Sequence, residues 1–286
     1  MRPLISVVHA TFGRPRQALA TRAYWMKAAD DTEQIEWVFG VDADDEKSRE
    51  VLSWPNPELV INDGPRTSIA ASNVAFRAST GKVIIQCSDD YYAPPHWDTE
   101  VLKRLGDLDE SAVLGTGDPI CPPDAVTKYV GGGLLTMVCA TRAYLEQIGY
   151  FYYPEYAGEM VDLDFTQKAA ADHVLIDAYE DLHFYHDWHG GDNDPLRDAV
   201  HEKHLSDENS MLGVRVWEKR RAQLLPDLDG KPFDPDDARA SFVCGDYELA
   251  RRRVEFDLDY YKSFCGGRFG YHFGEWLRDE CIRRLG

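Results

Sequence analysis

The chain has 286 residues, 44% of them hydrophobic and 12% aromatic, which is enough for one domain of roughly 200–250 residues plus an appendage. A formal net charge of −19 excludes a broad electrostatic footprint for nucleic acid or anionic membrane and leaves room only for a local basic groove. The cysteines (Cys87, Cys121, Cys139, Cys244, Cys265 and Cys281) form no C-x-x-C pair, which excludes a zinc knuckle or redox dithiol and fits reduced thiols in a cytoplasmic protein.

The apolar stretch Leu4–Ala10 is short, holds Ser6 and His9, and leads into Arg14, Pro15 and Arg16. It reads as a first strand over Ile5–Ala10 rather than a secretion signal, and no segment approaches membrane-spanning length. Pro15 then opens a helix to about Ala29. Ile35–Val41 is a second strand ending at Asp42, Asp44 and Asp45, followed by a short helix over Glu46–Ser53 and a strand at Glu58–Ile61. Ser68–Ser79 is a helix stopped by Gly81, and Val83–Cys87 a fourth strand. This alternation predicts an α/β fold: a single Rossmann-like, mostly parallel, doubly wound sheet flanked by helices.

Further along, Trp97–Leu105 predicts a helix and Ala112–Gly117 a strand. Gly131-Gly132-Gly133 opens the apolar run Leu134–Ala140. Thr141 is placed to cap a helix over Arg142–Ile148 that Gly149 closes. Met160–Ala171 has helical spacing, and Leu175–Tyr185 returns to a strand pattern. The predicted organisation is a catalytic domain over 1–225, a Pro/Asp/Gly-rich linker over 226–240 and a helical extension over 241–286. That extension suits either a homodimer interface or a lid.

Three constellations carry chemistry. Val83-Ile84-Ile85-Gln86-Cys87 runs directly into Ser88-Asp89-Asp90, which sets two carboxylates at the carboxyl end of a buried strand, where open α/β sheets bind ligands. Adjacent like charges need a cation to compensate them. Glu159, Asp162 and Asp164 cluster at the start of a helix, and His183, His186 and His189 follow. Carboxylates with one imidazole and phosphate oxygens suit Mn²⁺ or Mg²⁺. Each feature alone has a plainer explanation: an acidic turn, helix N-terminal charges favoured by the macrodipole, or structural histidines. Their occurrence together and in this order favours a site.

These residues also resemble the nucleotide-sugar-dependent glycosyltransferases of the A fold, especially the family-two-like inverting enzymes. Ser6-Val7-Val8-His9-Ala10-Thr11-Phe12-Gly13-Arg14-Pro15 is similar to that family's first strand and loop, and Val41-Asp42-Ala43-Asp44-Asp45 to its second-strand acidic end. Ser72-Asn73-Val74-Ala75 with Thr80-Gly81-Lys82 resembles the helix before the metal motif. Cys87-Ser88-Asp89-Asp90 resembles the Asp-x-Asp region, Val161-Asp162-Leu163-Asp164-Phe165 the catalytic segment, and Tyr185-His186 the late metal-binding histidine. The likeness spans about Ile5 to His189.

The resemblance implies a metal-dependent transfer of a sugar from a nucleoside-diphosphate sugar, with UDP the expected nucleotide, to a hydroxyl acceptor with inversion. Thr11, Phe12 and Arg14 would line the nucleotide pocket, Asp42 would hydrogen-bond the base, and Asn73 would support the nucleotide or the metal loop. Ser88 and Asp89 would meet the ribose side of the donor, while Asp89, Asp90 and His186 would hold Mn²⁺ or Mg²⁺. Asp162 is the first choice of base, with Asp164 and Glu159 as reserves. Two departures keep these roles open: Cys87 stands where many relatives have the first Asp of the motif, and Val161 replaces the usual Glu. The acceptor stays open, nucleic acid included. Two other readings compete. A nucleotidyltransferase would carry a glycine-rich basic loop after the first strand, whereas Thr11–Arg16 holds only Gly13. A non-catalytic nucleotide-sugar or cation-binding module would have no need of a base.

Overall fold

The first third builds β1 (Ile5–Thr11), α1 (Pro15–Ala28), β2 (Ile35–Asp42), α2 (Glu46–Leu52), β3 (Glu58–Asn62), α3 (Ser68–Ala78) and β4 (Val83–Cys87) in the expected alternation. The computed structural model describes residues 3–53, 58–117, 135–186, 212–213, 215–217, 219–220, 245–256 and 278–285. These fall into two units, Met1–Ser210 and Met211–Gly286. The first unit continues with β5 (Tyr91–Tyr92), α4 (Trp97–Leu105), β6 (Val113–Gly117), β7 (Cys139–Thr141), α5 (Arg142–Ile148), α6 (Val161–Ala171), β8 (Leu175–His183) and β9 (Tyr185–His186).

Among the described residues seven strands form one sheet in the order β3-β2-β1-β4-β7-β6-β8, and β5 and β9 make a separate two-stranded ribbon. All pairings among β1 to β4 are parallel, as is β6 with β8, while β7 runs antiparallel to β4 and β6. The sheet is therefore mostly parallel, as the alternation predicts. From β1 the chain steps outward to β2 and β3, then returns to place β4 on β1's other side. Strand order thus reverses between β1 and β4, the place where open α/β sheets form a ligand crevice.

Period-two alternation divides each central strand between two helix layers. Ile5 and Val7 of β1, Trp37 and Phe39 of β2, and Ile85 and Cys87 of β4 join one buried core with Trp25 of α1, Leu52 of α2, and Trp97 and Val101 of α4. On the opposite face α3 lies so close to β2 that a Cβ on Gly40 would stand 2.2 Å from the Ala71 carbonyl oxygen. Only glycine allows that approach.

Two expectations are refined. Among the described residues of the apolar run at 134–140, Cys139 and Ala140 join a strand, which extends to Thr141. The predicted strand over Leu175–Tyr185 breaks at Phe184, so Tyr185 belongs to β9. The break follows an irregularity in the β6–β8 pairing, where Gly117 pairs with His183 although Thr116 pairs with Ala178. A Cβ on Gly117 would lie 2.1 Å from the Tyr179 carbonyl oxygen, so glycine permits the bulge. The Phe184 amide then donates to the Gly117 carbonyl at 2.9 Å, and the chain leaves the sheet to pair with β5.

In the second unit the described residues apart from Gly245 and Asp246 are helical, including α7 (Tyr247–Phe256), in keeping with the expected helical extension. Arg284 donates to the Tyr247 hydroxyl at 2.9 Å and lies 5.1 Å from the centre of its ring. The expected linker over 226–240, the glycine loop at 131–133 and His189 lie outside the described residues.

Candidate functional site

At the β1/β4 reversal the side chains of Thr11, Asp89, Asp90 and His186 come together. Asp89 follows Cys87 by two residues, as Thr11 follows His9. Since His9 and Cys87 are directly paired across β1 and β4, strand alternation brings Asp89 against the end of β1. His9 Nε2 lies 3.0 Å from Asp89 Oδ1, and the Thr11 hydroxyl donates to Oδ2 at 3.1 Å. From α1, the Thr21 hydroxyl donates to the Asp89 carbonyl at 2.7 Å and Trp25 Nε1 to the Tyr91 carbonyl at 2.8 Å. Thr21 and Trp25 are one helical turn apart on α1, so a single helix face pins the acidic segment at two carbonyls.

Asp90 faces a different partner. Its Oδ2 lies 3.3 Å from His186 Nε2, and the Ser88 hydroxyl donates to its Oδ1. The imidazole stacks on Tyr91, with ring centres 4.2 Å apart and planes 10° from parallel. Tyr91 and His186 are direct partners in the β5–β9 ribbon, and the Tyr91 hydroxyl donates to the Thr136 carbonyl at 2.8 Å. Burial pushes the Asp90 carboxyl upward, but His186 and the Ser88 hydroxyl outweigh it and leave the pKa below the ordinary value. Asp90 is thus a carboxylate next to an imidazole at the mouth of the crevice. Among the described residues no three His, Cys, Asp or Glu side chains form a closed cation cage. A carboxylate and an imidazole that leave the remaining positions to phosphate and water nevertheless match the needs of a hard divalent ion.

Asp162 stands in the first turn of α6, after Met160, whose φ of 69° places a non-glycine residue in the left-handed region. Part of the residue reaches the surface, yet its carboxyl is hemmed in by protein. Burial, reinforced by Glu159 and opposed by His186, pushes its pKa up to about 7. Asp164 is fully buried, and the Tyr156 hydroxyl donates to it at 3.3 Å. Asp162 thus combines a raised pKa with partial access, and Glu159 acts on it electrostatically.

The remaining expected residues lie around this centre. Asp42 is buried at the end of β2; Asn62 Nδ2 donates to it at 2.6 Å, and burial nevertheless raises its pKa. Asp45 caps α2 through the Ser48 amide at 3.1 Å and holds the Gly13 amide at 2.6 Å, which ties the loop after β1 to the end of β2. Phe12 in that loop is 40% exposed. Arg14 is the N-cap residue of α1. Asn73 is occupied elsewhere: its Oδ1 accepts from the Phe151 and Tyr152 amides at 3.0 and 3.1 Å, and its Nδ2 donates to the Tyr152 carbonyl at 2.8 Å. His183 lines a surface groove with Tyr24, Tyr92, Pro94 and Tyr185.

Compared by sequence, the chain matches no protein-family model and no curated protein. Compared by shape, it superposes on the mannosyltransferase PcManGT from Pyrobaculum calidifontis, solved with GDP-Man and Mn²⁺. The TM-score is 0.52 at 16% identity, covering 100% of this chain and 86% of that one. The chain has the glycosyltransferase A fold. Residues 1–349 of S. aureus TarS give a TM-score of 0.52 at 12% identity over 99% of this chain and 89% of theirs. Glucosyl-3-phosphoglycerate synthase from Mycobacterium tuberculosis, solved with glucosyl-3-phosphoglycerate, UDP and Mn²⁺, gives 0.52 at 12% over 79% and 82%.

Within this glycosyltransferase A fold, sequence reasoning missed the residues that hold the acids in place. His9 carried one usable signal, a polar side chain inside the apolar alternation Ile5, Val7, His9. Thr21 and Trp25 sit four apart on a helix, the spacing of an ordinary buried face.

Proposed function

We propose that the chain is a metal-dependent glycosyltransferase moving a sugar, with inversion, from a nucleoside-diphosphate sugar to a hydroxyl acceptor, with UDP as the nucleotide. The observation that carries this reading is the meeting of Asp90 and His186 at 3.3 Å beside the β1/β4 reversal. The solved neighbours support it, since they were captured with GDP-Man and Mn²⁺, with UDP-GlcNAc and with UDP and Mn²⁺.

In this proposal Asp42, with one oxygen held by Asn62, accepts a hydrogen bond from the base. The Thr11–Arg14 loop, tied down by Asp45, borders the nucleoside. Asp89 is fixed against β1 beside the ribose. Asp90 and His186 would hold Mn²⁺ or Mg²⁺, which when bound supplies positive charge to the departing diphosphate. Asp162, whose pKa is pushed up to about 7, takes the proton from the attacking hydroxyl. A base poised near the working pH is strong enough to accept that proton and is still substantially ionised.

A thermal-shift screen tests the class and the donor together. UDP, GDP and their sugars are added with Mn²⁺ and with chelator; a ligand bound only by the native state raises the melting temperature. The proposal expects stabilisation by a nucleoside diphosphate in Mn²⁺ and its loss in chelator. No response to any nucleotide would overturn it.

A further inference from the structure

His9 is a polar residue in a position built for an apolar one. It sits in the middle of β1, is wholly buried, and is paired in the sheet between Phe39 and Cys87. Its ring lies 4.9 Å from the Phe39 ring and 5.7 Å from the Trp37 ring. Nδ1 is buried with no hydrogen-bond partner among the described residues, whereas Nε2 meets Asp89 Oδ1 at 3.0 Å.

That asymmetry fixes the ring's chemistry. A proton on Nδ1 would be buried without an acceptor, a costly arrangement, whereas a proton on Nε2 points at a carboxylate oxygen. The ring therefore carries its proton on Nε2 and donates it to Asp89. With the Thr11 hydroxyl on Oδ2, both carboxylate oxygens are held from β1, and the Thr21 hydroxyl holds the carbonyl of the same residue. A leucine would pack between Phe39 and Cys87 without burying a bare nitrogen, so packing alone does not account for an imidazole here.

We infer that His9 is a positioning residue whose Nε2–H fixes the Asp89 carboxylate for nucleoside-diphosphate binding. This rests on the functional reading above. With both of its oxygens bound to β1, Asp89 is an oriented acceptor for the nucleotide, and the cation falls to Asp90 and His186.

The test compares wild type, His9→Leu and His9→Gln by calorimetric titration with UDP and with GDP in Mn²⁺, alongside melting temperatures without ligand. Leucine keeps the volume and removes the donor; glutamine keeps an N–H at about the reach of Nε2. His9→Leu is expected to melt at or above the wild-type temperature and to bind nucleotide at least about tenfold more weakly, as for other partners that orient a ligating group. His9→Gln is expected to regain most of the lost affinity. A purely structural role predicts the reverse: a lower melting temperature for His9→Leu and no rescue by glutamine. Wild-type affinity in His9→Leu, or glutamine no better than leucine, overturns the inference alone. A wild type that binds neither nucleotide overturns the functional reading and this one with it. Long-range ¹⁵N spectra of the unliganded wild type supply a readout independent of the variants: a protonated Nε2 with a bare Nδ1 is expected, and a protonated Nδ1 contradicts the inference.

Discussion

Trp25 donates its indole N–H to the Tyr91 carbonyl at 2.8 Å, a contact between a helix and the turn that carries both acids of the site. Thr21 does the same one helical turn earlier, at the Asp89 carbonyl. The acids thus inherit their position from α1, whose own place is set by the packing of Trp25 against Trp97, Trp37 and Phe184.

This makes Thr21→Val informative, because it keeps the shape and removes only the hydroxyl. Leaving a carbonyl without its donor costs about 1–3 kcal/mol, read as a lower urea midpoint with an unchanged slope. Mn²⁺-dependent nucleotide affinity is expected to fall about tenfold as the acidic turn loosens. Affinity equal to wild type would mean that the turn is held without α1.

Asn73→Ala is expected to act on stability rather than on the donor. Three backbone groups of Phe151 and Tyr152 lose their partners, at a cost of about 2 kcal/mol or more. Nucleotide affinity of the folded protein should stay near wild type. A large loss of affinity with stability intact would return Asn73 to the nucleotide pocket.

Asp162 gives a pH signature. Below about pH 7 its carboxyl is largely protonated, so transfer is expected to rise with pH and level off above that value. Asp162→Asn should abolish the rise, lower turnover by about 100-fold or more, and leave nucleotide binding in place. Wild-type turnover in this variant would move the base elsewhere.

The same group ties stability to pH, with a definite sign. Its folded pKa lies above the ordinary 3.8, so the native state binds the extra proton between about pH 4 and 7. The associated stabilisation is complete below pH 4 and gone above 7. Asp162→Asn should therefore flatten this part of the stability profile and melt higher than wild type at pH 8. An unchanged profile would show that the carboxyl titrates normally.

The fold was legible where the sequence pattern is local. Apolar runs separated by helical segments gave β1 to β4 and their helices within a residue or two, because β1, β2 and β4 are buried and each run is bounded by turn chemistry. The ribbon of β5 and β9 was not legible, since two-residue strands carry no periodicity and their pairing depends on the bulge at Gly117. The same limit applies to the site. Asp89, Asp90 and His186 stood out by residue type and order. The division between Asp89, held by His9 and Thr11, and Asp90, facing His186, is a matter of register and emerges only when β1 and β4 are side by side. The hydrogen bonds of Asn73 were hidden for the same reason, as its partners at 151–152 are distant in sequence.

In the proposed mechanism Asp90 and His186 together hold the cation on which donor binding depends. Calorimetric titration of UDP and GDP into wild type, Asp90→Ala and His186→Ala, each with Mn²⁺ and with chelator, tests it most directly. Binding is expected to wild type in Mn²⁺ only, with loss of that dependence in both variants. Nucleotide affinity that is the same in chelator as in Mn²⁺, or unaffected by either substitution, would contradict it.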